Sequence, residues 1–145
     1  MAGLGFTVSA TEATCPTSAY TLLQIQAPTN QKVIVKEWSF SIASTTPVLV
    51  RVVRQSNRPS GSSAANPVKE NDKDSETVQT TGRQTFAGSF QPTDTDELFG
   101  EEVQGGYTWQ APYKEEIIVG GGEYLAIELN SSVAAKVKAR FKCSE

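Results

Sequence analysis

The last strand-forming segment of this chain, Val133 to Cys143, alternates apolar and charged side chains almost without a break. Its apolar members are Val133, Ala135, Val137, Ala139 and Phe141, and its charged members are Lys136, Lys138, Arg140 and Lys142. Successive side chains of a β-strand point to opposite faces of the sheet, so this period of two predicts a strand with one face in the core and one in water. Such a strand needs a second apolar layer to cover it.

Further strand candidates occupy most of the chain, and no stretch of ten residues has convincing helical spacing. They cover residues 20–27, 32–43, 48–55, 83–90, 98–110, 115–119 and 123–130, with Glu76 to Thr80 as a short candidate inside the polar loop 56–82. In the longest, we expect Ile34, Lys36, Trp38, Phe40 and Ile42 to share the core face. About eight or nine strands without crossover helices predict an all-β, antiparallel β-sandwich, with a jelly-roll topology favoured over an immunoglobulin-like one.

The N-terminal residues differ in composition from the rest of the chain. Residues 1–18 contain mainly small residues, threonine and serine, and their one charge is Glu12. Leu4, Phe6 and Val8 alternate with small residues, but the segment has too little apolar surface to fold alone. We therefore expect an extended arm over 1–18, anchored on a partner by these three side chains, and a sandwich domain over 19–145. The alternative is that they form the first strand of the chain's own sheet.

Several function classes are excluded or made improbable by the residue content. The chain has no histidine, which removes Ser-His-Asp and Cys-His catalysis and histidine metal ligation. Its 13 basic and 16 acidic residues give a net charge of −3, which argues against a nucleic-acid partner. The apolar runs are too short to cross a bilayer, and the start lacks the pattern of a signal peptide. We expect a soluble protein made in the cytoplasm, with no membrane partner.

The two cysteines, Cys15 and Cys143, lie near opposite ends of the chain. Two thiols alone cannot make a zinc site, and no CxxC spacing is present. We expect reduced structural thiols; a disulfide is the alternative if the first and last strands are neighbours.

Three other groups of residues could carry chemistry. Paired carboxylates can bind calcium or hydrolyse glycosides, but an acidic cluster in a loop is more often a solvated surface; the acids here are Asp94, Asp96, Glu97, Glu101 and Glu102. The run Gly120-Gly121-Gly122 precedes Glu123 rather than a lysine and a helix, so it predicts a turn and not a phosphate loop. Aromatic side chains could form a sugar-stacking platform, although core packing is the commoner role; they are Trp38, Phe40, Phe90, Tyr107, Trp109 and Tyr113.

The basic stripe, defined as Lys136, Lys138, Arg140 and Lys142, is the sharpest electrostatic feature of the sequence. Alternate strand positions place its four cations about 6.6 Å apart on one face. They could pair with acids on neighbouring strands and protect a sheet edge. They could instead contact another subunit or a partner protein, or bind a polyanion.

Three stretches of the chain resemble a family of small structural proteins of tailed bacteriophages, the jelly-roll capsid decoration (cement) proteins. They are LLQIQAPTNQKVIVKEWSFSIASTTPVLVRVVRQS, GGYTWQAPYKEEIIVGGGEYLAIELN and SSVAAKVKARFKCSE, and the resemblance covers roughly residues 20–142. It implies a virion protein on the capsid surface, commonly a homotrimer at three-fold positions. It also implies that the major capsid protein is the partner, that neighbouring capsomers are bridged, and that no cofactor is bound and no reaction catalysed.

Two other functions remain open at this point. A carbohydrate-binding module, or a receptor-binding module of a head fibre or tail, would need Trp109 or Tyr113 facing solvent. A hydrolase would need the acids between Asp94 and Glu102 to converge on a substrate.

Overall fold

The computed structural model describes residues 3–73, 75–86, 91–112 and 114–145. In these ranges all regular secondary structure is β, in thirteen strands. The strands are β1 (Gly5–Ser9), β2 (Ala13–Thr14), β3 (Ala19–Gln26), β4 (Val33–Ile42), β5 (Val48–Gln55), β6 (Ser63–Ala64), β7 (Val68–Lys69), β8 (Thr81–Gln84), β9 (Asp94–Val103), β10 (Gly106–Gln110), β11 (Ile117–Val119), β12 (Tyr124–Asn130) and β13 (Lys136–Ser144).

The strands form two antiparallel sheets that pack against each other. Sheet A has the order β10-β4-β13-β1-β7, with β11 also paired to β4 and β2 to β13. Sheet B has the order β6-β8-β3-β12-β5-β9. Buried side chains from both sheets join in one hydrophobic core, which includes Phe6, Phe40, Phe141, Leu23 and Ile127. The predicted antiparallel β-sandwich is confirmed.

Pairing between strands is nested from the two ends of the chain inwards. The first strand, β1, pairs with the last, β13, and β3 pairs with β12. Inside these, β4 pairs with β10 and β11, and β5 pairs with β9. The first half of the chain therefore pairs with the second half in reverse order, as in one long hairpin that is folded into two sheets. As a result, residues distant in sequence form most of the core.

The alternation that predicted β13 is present in the structure. Val137, Ala139 and Phe141 are buried, while the four cations of the basic stripe are exposed. Because β13 lies between β4 and β1, the basic stripe runs along the middle of the outer face of sheet A.

In β4 the predicted core face is wrong for the first half of the strand. Val33 and Val35 are buried there, whereas Ile34 is partly exposed and Lys36 exposed. The register against β13 changes at this point, because Lys142 lies opposite Glu37 and Cys143 opposite Val35, which leaves Lys36 as an extra residue. A β-bulge of this kind shifts the alternation by one, so the predicted core side chains Trp38, Phe40 and Ile42 still face inwards beyond it.

The N-terminal segment does not extend away from the domain. Residues 5–9 form β1 within sheet A, and Leu4 and Glu145 exchange backbone hydrogen bonds of 2.9 and 3.0 Å. Phe6 and Val8 are fully buried and Leu4 is nearly so. The arm expected over 1–18 is thus replaced here by the alternative, a first strand of the chain's own sheet. This placement is explained by the backbone pairing of β1 with β13 and by the burial of Phe6 and Val8 in the apolar core.

Two other regions differ from their predictions. Residues 76–80 form no strand, and β6 and β7 lie earlier in the same polar region. The acidic cluster, expected in a solvated loop, belongs to β9 in sheet B, and β10 belongs to sheet A. Gly105, at φ +74°, lies at the corner between them, where its carbonyl accepts a hydrogen bond from the N–H of Ile42 at 2.6 Å. The chain changes sheets there, so the segment predicted as one strand candidate over 98–110 is divided between β9 and β10 by a tight bend at Gly105.

Candidate partner-binding face

The basic stripe lies among small hydroxyl side chains on the outer face of sheet A. Arg140 is opposite Ser39 on β4 and Ser9 on β1, and Lys138 is opposite Ser41. Thr108 on β10 continues the row from Ser39. These short side chains leave an open groove of about 500 Å³ between the longer basic ones. The groove is lined by Ser9, Ser39, Phe40, Ser41, Gly106, Tyr107, Thr108, Lys138, Ala139 and Arg140.

Three of the four cations have carboxylate partners on neighbouring elements. Lys136 pairs with Glu12 at 3.6 Å, Arg140 with Glu37 at 2.9 Å and Lys142 with Glu70 at 3.8 Å. Exposed pairs of this kind stabilise a protein by about 0–1 kcal/mol each. Pairing with acids of neighbouring elements, one of the alternatives left open by the sequence, is therefore present for three members, and with these three acids the stripe carries a net charge of +1.

Lys138 differs from the other members of the stripe. It is exposed, lines the groove, and makes no ion pair or hydrogen bond with any other described residue. It lies on the central strand, so sheet-edge protection does not explain it. Its ammonium group is free to meet an acidic side chain of another molecule.

The three N-terminal anchors expected from the sequence are not part of this face. Leu4, Phe6 and Val8 are buried in the chain itself, and only the alternate residues of β1, such as Ser9, reach the outer face. In this arrangement the three apolar side chains are not accessible to a partner. The structure therefore brings the basic stripe together on one face and places the apolar candidates behind it.

The acidic candidates lie on β9, the edge strand of sheet B, and do not converge on a cleft. Arg51 donates from Nε to Glu97 at 2.6 Å and approaches Asp94 at 3.5 Å. Its Nη1 also donates to Glu128 at 2.8 Å. Arg51 thus holds two of these carboxylates in place on the outer face of sheet B. Asp96, Glu101 and Glu102 are exposed along the strand, where charged side chains oppose edge-to-edge association.

Sequence reasoning missed the polar network around Glu128. Gln55 donates to Thr21 and to Asp94, both at 2.9 Å, and Gln24 donates to Gln55 at 2.9 Å. Burial, together with the neighbouring Asp94, raises the pKa of Glu128 to about 7 against the opposing effect of Arg51. No local motif signals this network, because its members come from four strands.

The aromatic candidates that the structure describes pack together rather than form an exposed platform. Trp38 is fully buried and lies 5.8 Å from Phe99 and 5.1 Å from Tyr107, ring centre to ring centre. Trp109 is partly buried and lies 4.9 Å from Phe99. Phe99, Tyr107 and Trp109 are thus partly buried side chains that pack against the main core. Phe90 and Tyr113 lie outside the described residues.

The remaining candidates have structural roles. Cys15 and Cys143 are both free and buried, and burial raises the pKa of the Cys143 thiol. Gly122 has φ +78° and donates to the carbonyl of Ala27 at 3.1 Å, so the triple glycine ends in the expected turn. Among the described residues, no group of three or more acidic or cysteine side chains is arranged to hold a metal ion. The same residues contain no helix long and apolar enough to span a membrane.

Comparison with models of protein families, with curated proteins and with solved structures found no match to this chain.

Proposed function

We propose that this chain is a capsid decoration protein of a tailed bacteriophage. It binds the major capsid protein on the outer surface of the head and bridges neighbouring capsomers as a homotrimer. Its place of action is the virion, after synthesis in the host cytoplasm. The proposal rests on the three sequence stretches that resemble this family and on the form of the outer face of sheet A. The role is mechanical and requires neither a cofactor nor a reaction.

The strand order supports the jelly-roll topology within this proposal. A jelly roll places eight strands in two sheets through two Greek keys. Eight strands here pair from the chain ends inwards and divide equally between the sheets; they are β1, β3, β4, β5, β9, β10, β12 and β13. The short β6 and β8 extend sheet B beside β3. The fold would thus be a jelly roll with two short strands added to sheet B.

The observation that carries the proposal is the open groove beside Lys138. Its floor contains serine and threonine side chains, which allow the backbone of a partner to approach closely. The groove is open to solvent along the face of the sheet rather than an enclosed cavity, so a segment of a partner protein can reach it. Lys138 supplies a cation without an acid partner in the described chain, so the partner surface should present a carboxylate there.

A single exposed ion pair is too weak to hold a subunit on a capsid. Such pairs contribute about 0–1 kcal/mol, whereas linked contacts raise the overall affinity by about 10²–10⁴. A homotrimer would present three copies of the groove to the shell at once. Three copies of 15.6 kDa would have a mass of about 47 kDa, which light scattering on the free or shell-released protein would detect.

Co-sedimentation with undecorated phage heads tests the proposed function. We expect the wild-type protein to pellet with the heads and Lys138→Glu to lose most of this binding. Lys32→Glu is the matched control, because Lys32 is an exposed lysine in the loop before β4 and outside the groove. Absence of wild-type binding at micromolar concentration would contradict the function. Equal binding by Lys138→Glu and wild type would contradict the assigned face.

Among the described residues, nothing favours a carbohydrate-binding or receptor-binding module. That function needs an aromatic ring free to stack on a sugar, and Trp109 instead packs against Phe99. Tyr113, the other candidate ring, lies outside the described residues.

A further inference from the structure

Two arginines, Arg58 and Arg83, lie close together on the outer face of sheet B, away from the groove described above. Arg83 is on β8, opposite Gln24 of β3 and Ala64 of β6. Arg58 comes from the loop after β5 and donates to the same Gln24. Neither arginine makes an ion pair with a carboxylate among the described residues, in contrast to Arg51 and Arg54.

The hydrogen bonds of Arg58 leave part of its guanidinium group unused. Nε donates to Gln24 Oε1 at 2.7 Å, Nη1 to Thr81 Oγ1 at 2.8 Å and Nη2 to the Thr81 carbonyl at 3.4 Å. The guanidinium carbon also lies 5.4 Å from the ring centre of Tyr124. A guanidinium has five N–H donors, so two remain on Arg58. The side chain of Arg83 donates no hydrogen bond to a described residue.

Arg58 and Arg83 both line a depression of about 240 Å³. It is lined by Arg58, Pro59, Ser60, Gly61, Ser62 and Arg83. The lining therefore combines two permanent positive charges and two hydroxyl groups with no acidic side chain. Gly61, at φ +94°, allows the chain to turn tightly around the depression.

The electrostatics of the pair also favour a negatively charged ligand. Partial burial is the main reason that the pKa of Arg58 is lowered, and the charge of Arg83 lowers it further, while Tyr124 acts in the opposite direction. Two adjacent guanidinium charges without a counterion destabilise each other. A bound anion would remove this repulsion and use the free donors.

We propose that Arg58, Arg83 and the loop of Ser60 to Ser62 form a binding site for a dianionic tetrahedral oxyanion of the phosphate or sulfate type. Guanidinium groups bind such oxygens through two parallel hydrogen bonds, and the two charges of the pair match those of a dianion. The serine hydroxyls supply further donors to the remaining oxygens. The volume admits one small anion or the phosphate group of a larger molecule.

Titration calorimetry with inorganic phosphate and with sulfate, at constant ionic strength set by chloride, tests this site. We expect saturable binding of both anions to the wild-type protein and at least about tenfold weaker binding by Arg83→Gln. Arg54→Gln is the matched control, since Arg54 is also an arginine of sheet B but lies outside the depression and is paired with Glu123 at 3.8 Å, and it should bind phosphate as the wild type does.

A second variant and a third anion make the result decisive. Arg58→Lys retains the charge and removes the planar fork, so it should also weaken phosphate binding if it folds. Acetate should bind much more weakly than phosphate. The proposal is overturned if phosphate binding does not exceed the effect of chloride, if Arg83→Gln binds like the wild type, if Arg54→Gln loses binding equally, or if acetate binds as well as phosphate. Head binding in the co-sedimentation experiment is independent of these outcomes.

Discussion

Substitution of Phe6 by alanine measures whether the N-terminal segment belongs to the folded core. Phe6 lies on β1, between Cys143 of β13 and Lys69 of β7 in the ladder of sheet A. Its side chain is fully buried in the main hydrophobic core. An arm that served only to contact a partner would leave the stability of the isolated protein almost unchanged when shortened or altered.

The structure gives the size of the expected effect. Removing a fully buried phenylalanine ring loses its transfer free energy and leaves a cavity, which together destabilise by about 3–5 kcal/mol. A domain of this length is stable by about 5–15 kcal/mol, so the loss is a large part of the total. The neighbouring Thr7 points to the opposite face and is partly exposed, so Thr7→Ala should change the free energy of unfolding by about 0.5 kcal/mol or less.

Urea denaturation followed by tryptophan fluorescence measures these changes. We expect a lower transition midpoint for Phe6→Ala with an unchanged slope, and a wild-type midpoint for Thr7→Ala. If Phe6→Ala does not fold, Phe6→Leu should show the same direction with a smaller loss. A free energy of unfolding for Phe6→Ala within about 0.5 kcal/mol of the wild type would refute the placement of β1 in the core.

Three further results follow from individual contacts. Because the pKa of Glu128, about 7, is above its ordinary value of 4.5, the native state binds a proton on Glu128 more tightly than the unfolded state does. This tighter binding contributes to the free energy of unfolding at low pH. This contribution is complete below pH 4.5 and is lost as the pH rises through 7, so the stability of wild type relative to Glu128→Gln should fall over that range; a constant difference would contradict the pKa. A Cβ at Gly82 would meet the carbonyl oxygen of Ala65, so Gly82→Ala should destabilise by about 1–3 kcal/mol, and a neutral effect in thermal unfolding would contradict this packing. Cys15 and Cys143 should react with a thiol reagent only after denaturation, and fast labelling of the native protein would show that they are not buried.

The sandwich could be predicted from the sequence because its strands alternate by residue type. In β13 the cations and apolar residues separate onto two faces, and the same faces occur in the structure. In β12, Leu125, Ile127 and Leu129 likewise share the core face. Such patterns are local and follow from the geometry of a single strand.

The features that were mispredicted depend on pairing between distant residues. The bulge at Lys36 is defined by the pairing of β4 with β13. A prediction made without that partner continues the alternation through Lys36 and assigns the first half of β4 to the wrong face. The sequence around Phe6 fits either an arm or a strand, and its pairing with β13 decides between them. The contact of Arg51 with Glu128 joins residues from two strands, and the pair of Arg58 and Arg83 arises in the same way from a loop and a strand. The spacing of residues along the sequence does not indicate these contacts, because their members are distant in the chain.

Lysine footprinting on decorated heads is the most direct test of the account. The protein, free and bound to heads, is acetylated briefly, and the modification of each lysine is measured by mass spectrometry. We predict that acetylation of Lys138 decreases strongly on binding, whereas that of Lys32 stays the same. Equal modification of Lys138 in the free and bound states would contradict the assignment of the outer face of sheet A as the surface that meets the capsid.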